Sequence, residues 1–173
     1  MKRFFTASIS FLFAIASIAQ SKFSVPELTD TQKYRIAAIQ WNGSYLIQIS
    51  YAKSLGKPPE DVAKFTADQL KPTLNKQAGY DGFVQGIIYT MVSMVPYGSV
   101  EITEETPDAL TIKVTGLYTD LREGGSIFDV TYKEYIKFWE IVNSGLADYM
   151  GAKYSQKDSD EGLIVTITRK SQK

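Results

Sequence analysis

The 173-residue chain contains no histidine and no cysteine. Without histidine it lacks the one side chain that titrates near neutrality unperturbed, which is also the commonest metal ligand. Without cysteine it has no reactive thiolate, no disulfide and no sulfur-ligated metal site. Serines are present, but no imidazole exists to activate them. The pair Ser50-x-x-Lys53 is helix-neighbour spacing with no second signature behind it. A surplus of one charge is missing too, with 19 Lys and Arg against 19 Asp and Glu. Nothing in that balance points to a nucleic-acid or anionic-membrane partner. The motifs call for no cofactor and no metal.

Long uncharged runs are also scarce, and the one that opens the chain is the most informative. Met1-Lys2-Arg3 is basic, residues 4–19 are apolar or small, and Ser17-Ile18-Ala19 supplies small-x-small before Gln20. This is the pattern of a secretory signal peptide, and it falls short of the ~20 residues a spanning helix needs. The expectation is a signal peptide over 1–19 cleaved after Ala19 and one domain over 20–173. The protein would then be periplasmic or secreted, with no stable membrane span after cleavage. No cysteine follows Ala19, so a lipoprotein anchor is excluded. A domain of this size can stand on its core without disulfides, which suits a bacterial envelope better than a small disulfide-rich extracellular module.

The rest of the chain reads as α+β. Thr29-x-x-Gln32 resembles a capping box, and Ile36, Ile39, Leu46 and Ile47 recur at helical spacing up to Gly56, predicting a helix over 28–55 that Asn42-Gly43-Ser44 bends, splits or opens to a neighbour. Pro58 and Pro59 lead into a second helix over 60–71, stopped by Pro72. Residues 82–95 are almost uniformly apolar and form a buried helix ended by Pro96. The period then changes to two. Val100 and Ile102 pair across residues 106–108 with Leu110, Ile112 and Val114 as a hairpin, and 116–129 is a polar, glycine-bearing loop. A helix over 131–150 carries Tyr132, Tyr135, Ile136, Trp139, Val142, Leu146 and Tyr149 on one stripe. A second hairpin joins 152–156 to 163–168. Three helices, hairpin, helix and hairpin predict a four-stranded antiparallel sheet covered by helices.

The second half carries a family resemblance. Asp108-Ala109-Leu110-Thr111-Ile112, Arg122-Glu123-Gly124-Gly125, a helix closing on Leu146-Ala147-Asp148-Tyr149-Met150-Gly151, and Gly162-Leu163-Ile164-Val165-Thr166-Ile167 follow one another in order. That order resembles haem–NO-binding domains and the related vinyl-reductase-type small-molecule-binding domains, which set helices before a strand–strand–helix–strand–strand unit. The resemblance implies that fold and a tendency to hold an apolar ligand. It does not imply haem, because the proximal histidine has no counterpart.

Tyrosine and tryptophan are the plausible working groups left. Trp41 and Tyr45 on the first helix, Tyr89 on the third, and Tyr132, Tyr135 and Trp139 on the fourth offer flat apolar bodies with a polar tip. Arg122, in the glycine-bearing loop, has the chemistry to pair with a carboxylate or phosphate. The acidic group Glu101, Glu104, Glu105 and Asp108 matches no calcium loop, and Gly82-x-x-x-Gly86 is a helix-packing motif. The expectation is an exported, non-catalytic domain that binds a small apolar or amphipathic ligand between helices and sheet. The alternatives are a metal- and thiol-independent hydrolase or isomerase using carboxylate or tyrosine groups, or a structural, partner-binding envelope protein. The oligomeric state is left open.

Overall fold

Thr29 opens the first helix as its spacing predicts. Its Oγ1 accepts from the Gln32 backbone N–H at 3.2 Å, and Gln32 Oε1 accepts from the Thr29 N–H at 2.9 Å. Two orphan donors are satisfied at once. The computed structural model describes residues 27–160 and 162–171, so the leader expected over 1–19 lies outside the described residues. Helix α1 (Asp30–Ser54) passes unbroken through Asn42-Gly43-Ser44. It buries Ala38, Leu46 and Ile49 on one side and leaves Ile36, Ile39 and Ile47 exposed on another.

Helix α2 (Pro59–Leu70) starts with proline at N1 and buries two alanines, Ala63 and Ala67. Small residues let it lie close to the later helix α5 (Tyr132–Tyr149), where a Cβ built on Gly145 would come within 3.1 Å of Ala67 Cβ. Two 3-10 turns follow, and helix α3 (Gly79–Met94) buries Tyr80, Phe83, Ile87, Met91 and Met94 at three- and four-residue steps. That is one continuous face.

Strands β1 (Ser99–Thr106) and β2 (Ala109–Thr115) form the first hairpin. A short helix α4 (Thr119–Gly124) and a two-residue ladder of β3 (Ser126–Ile127) with β4 (Val130–Thr131) then occupy the stretch expected to be a plain loop over 116–129. Their origin is tertiary, since Tyr118, Phe128 and Asp129 all take positive φ (53°, 51° and 60°) without being glycine. Such residues stay there only when packing holds them. Strands β5 (Ala152–Ser159) and β6 (Gly162–Arg169) end the fold, extending nearer their turn than expected.

The antiparallel sheet runs β1-β2-β6-β5. Register pairs Leu110 with Ile167, Ile112 with Val165 and Val114 with Leu163 in its two central strands, and all six are buried. Each contributes about 1.5–3 kcal/mol relative to exposure. Helices α3 and α5 cover that face. At the edge, Ile102 of β1 is 48 % exposed because no strand lies beyond it. Gly98 and Gly116 bring the entry to β1 against the exit from β2. A Cβ on Gly98 would sit 1.8 Å from the Thr115 carbonyl oxygen, so only glycine allows this crossing.

Candidate functional site: two cavities flanking the first helix

Helical spacing builds the first cavity. Trp41 and Tyr45 come from α1 one turn apart, Trp139 and Asn143 from α5 one turn apart, and Phe83, Gly86, Ile87 and Thr90 from α3. Leu70 and Leu74 close one end, Leu146 and Met150 another, around a volume of about 250 Å³. The aromatic wall is interlocked. Tyr45 meets the Trp139 ring edge-on with centroids 4.8 Å apart, and Trp41 meets Tyr45 at 5.6 Å. Edge-to-face pairs fix ring orientation. Gly86 is exposed and sets the mouth of the cavity, where a side chain would meet open space.

The polar groups of this cavity are sparse. No lining residue is charged. Asn143 is 2 % exposed and Trp139 5 %, yet Asn143 Nδ2 and Trp139 Nε1 have no partner in hydrogen-bond geometry. The phenol oxygens of Tyr154 and Tyr135 lie near these two N–H groups. Burial pushes both phenols up, and the neighbouring N–H groups offset only part of that shift. Their hydrogens point elsewhere. Tyr154 donates to Gln156 Oε1 at 2.8 Å, and Tyr135 donates to the Asn42 carbonyl at 3.3 Å. Each phenol oxygen therefore keeps its lone pairs for the neighbouring N–H, so Trp139 Nε1 and Asn143 Nδ2 have an acceptor nearby but in poor geometry, which costs less than the ~1–3 kcal/mol of a buried group with no acceptor at all.

The second cavity is a cleft of about 330 Å³ on the other side of α1. Ile39, Gly43 and Leu46 form one wall, with Asn42 among them. Tyr118, Asp120 and Leu121 form the opposite wall, and Tyr97 and Phe128 stand at its ends. Asn42 Nδ2 donates to the Met94 carbonyl at 3.4 Å, which fixes the amide orientation and leaves the buried Oδ1 without a partner. The two cavities share no lining residue. An aromatic ladder separates them, running from Tyr118 to Tyr135 (4.4 Å), Tyr135 to Trp139 (6.4 Å) and on to Tyr45.

Of the residues singled out from sequence, Trp41, Tyr45 and Trp139 meet in the first cavity. Tyr135 stands behind them, 0 % exposed, as part of the ladder. Tyr89 is 68 % exposed on α3 and lines neither cavity. Arg122 and Tyr132 meet each other instead. Arg122 Nη2 donates to the Tyr132 hydroxyl at 2.7 Å and pairs with Asp158, Nη1 donates to the Ser159 carbonyl at 3.1 Å, and the guanidinium stacks over the Tyr132 ring at 4.7 Å. Tyr132 in turn donates to Asp158 Oδ1 at 2.9 Å. This clasp ties the start of α5 to the tip of the β5–β6 hairpin and uses the guanidinium internally. Sequence reasoning missed Asn143, although it carried a signal: one amide four residues after Trp139, interrupting the apolar side of its helix.

Carboxylates sit elsewhere. Among the described residues no Asp or Glu is buried, and no cluster of acidic side chains has the spacing to hold a metal ion. Asp108 pairs with Arg169 at 3.2 Å. Comparison with protein-family models, with curated proteins and with solved structures returns no match to this chain.

Proposed function

We propose that this protein is an exported, non-catalytic binding domain that holds a small neutral amphipathic molecule in the cavity between α1, α3 and α5. One observation carries the reading: the cavity is walled by aromatic and aliphatic side chains without a charge, and two of its residues, Trp139 and Asn143, carry buried N–H groups whose neighbouring acceptors, the Tyr135 and Tyr154 phenols, lie outside hydrogen-bond geometry. A ligand with an acceptor oxygen offers these N–H groups a better-aligned partner than the phenols do, while its apolar body fills the remaining volume. About 250 Å³ exceeds the ~150 Å³ that accommodates benzene in an engineered apolar cavity. It lies below the usual ~300–1,000 Å³ of drug-sized sites, so the ligand is small. The resemblance to small-molecule-binding relatives of haem–NO-binding domains supports the same reading at the level of fold. It does not extend to haem, because the proximal histidine of those domains has no counterpart here. Export rests on the leader, and a mature protein beginning at Gln20 is its expected product.

The test uses the only two tryptophans, both of which line the cavity. In a ¹H–¹⁵N spectrum, titration with cyclohexanone is expected to move the Trp139 indole N–H downfield and to saturate as that donor gains an acceptor. Methylcyclohexane, with the same ring and no oxygen, is expected to bind more weakly and leave the indole proton nearly in place. An indole resonance unmoved by the ketone sinks the proposal.

A further inference from the structure

We infer that the cleft between α1 and α4 is a second, independent ligand site, and that it takes a small apolar molecule bearing an ammonium group. Its polarity is opposite to that of the aromatic cavity. Two of its polar lining residues carry acceptors without partners: Asn42 Oδ1 is buried and unpartnered, and the Asp120 carboxylate makes no hydrogen bond or ion pair among the described residues. A buried acceptor without a partner is costly until a donor arrives, and an exposed carboxylate at the rim draws a cation toward it. No Lys or Arg lines the cleft. Arg35 packs its guanidinium on the Tyr97 ring at 4.8 Å and does not itself belong to the lining. The rings of Tyr118 and Phe128 offer negative faces to a cation and an apolar surface to its body. Both of these residues hold positive φ, so the fold maintains two unfavourable backbone conformations in the lining of this cleft.

The decisive probe is 2-phenylethylamine at neutral pH, set against 3-phenylpropionate, which carries the opposite charge on a similar body. The amine is expected to shift backbone resonances of Gly43, Gly116 and Phe128 saturably and to leave the Trp139 indole in place. The carboxylate is expected to produce no such shifts. Asp120→Asn is expected to weaken amine binding about fivefold, the effect of one rim charge pair. Gly43→Leu is expected to abolish it by filling the cleft. A Cβ at Gly43 meets nothing within 4 Å, so this variant should fold, and an unchanged urea midpoint would verify that. Any of four results overturns the inference: equal binding of 3-phenylpropionate, amine shifts that map to Trp139 and Asn143, a folded Gly43→Leu that still binds, or no shifts at millimolar amine. Undiminished binding by Asp120→Asn overturns the ammonium assignment.

Discussion

Filling the aromatic cavity from the backbone should stabilise the protein and silence it together. Gly86 lies inside α3, lines the cavity, and has open space where a Cβ would stand. Its φ is not positive, so an L side chain fits the local backbone. Glycine in a helix interior costs about 0.8–1.0 kcal/mol relative to alanine, and leucine ranks close to alanine. Gly86→Leu is therefore expected to raise the unfolding free energy by about 0.7 kcal/mol or more, with any apolar area the new side chain covers adding to that. For a domain of this size a gain of about 0.7 kcal/mol corresponds to roughly 1.5–3 °C in Tm. The same side chain reaches into the volume a ligand needs, so the cyclohexanone response of the Trp139 indole should be lost. Urea unfolding with the tryptophans as probe gives the first quantity, and the NMR titration gives the second. Ordinary loss-of-function variants lose stability with activity, so the opposite signs are diagnostic. A Gly86→Leu protein less stable than wild type by 1 kcal/mol would mean the space is not there. One that is stable and still binds would place the ligand elsewhere.

Other expectations follow from named groups. Asn143→Leu removes a buried donor held in poor geometry beside the Tyr154 phenol and adds apolar volume beside the cavity; calorimetry should show ketone affinity about tenfold weaker, while the unliganded protein loses no more than about 0.5 kcal/mol in urea unfolding. Glu134 is pushed up by burial, but hydrogen bonds from Thr131 and Lys53 outweigh this and its carboxyl lies below the ordinary glutamate range. A lowered folded pKa contributes stability above about pH 4.3 that is lost as pH falls through the folded value. Glu134→Gln keeps the capping box and loses the 2.9 Å ion pair with Lys53, so the variant should be about 0.5–1 kcal/mol less stable at neutrality and equal to wild type in acid. Burial raises the phenols of Tyr118, Tyr135 and Tyr154. Their contribution is complete below the ordinary tyrosine value of about 10 and is lost as pH rises toward the folded values. An ultraviolet titration should accordingly show these three ionising only with alkaline unfolding. Arg122→Ala breaks the clasp on Tyr132 and Asp158 and should cost about 1 kcal/mol in urea unfolding, with ketone and amine affinities unchanged.

Punctuation made the helices legible. Gly56-Lys57-Pro58-Pro59, Pro72 and Pro96 stop or start elements for backbone reasons that hold in any tertiary setting. The first turn of α3 was harder to see, because Gly79-Tyr80-Asp81 has no helical signature; Asn75 caps the preceding 3-10 turn through Gln77 N–H at 3.1 Å and Tyr80 is buried at 7 % exposure. The α4–β4 stretch was illegible for a stronger reason. Its conformation depends on Tyr118, Phe128 and Asp129 holding positive φ, which no local preference dictates. The site divides the same way. Trp41, Tyr45 and Trp139 sit on stripes whose spacing the sequence displays. Arg122 and Tyr132 share the aromatic and cationic character of a site, and only the position of Asp158, 36 residues from Arg122 in sequence, reveals that they hold each other.

The groups around both cavities support the proposed binding role over proton-transfer chemistry. A general acid or base needs a pKa drawn toward neutrality, and enzymes achieve this by desolvating a carboxylate or pairing two. Here no Asp or Glu is buried among the described residues, and Glu134 is shifted in the opposite direction, down, toward permanent ionisation. The phenols nearest the cavities, Tyr45, Tyr118 and Tyr135, are all driven up by burial, away from the range in which a phenol exchanges its proton readily. What stands around the cavities is two neutral donors in poor geometry on one side of α1, and on the other one neutral acceptor with the exposed Asp120 carboxylate. Such groups on aromatic walls can select a partner by the polarity of its single polar atom. A ligand that bound without engaging Trp139, Asn143 or Asn42 would gain only apolar burial, so selectivity between ketone, amine and hydrocarbon is the property that separates a binding domain from a merely loosely packed one.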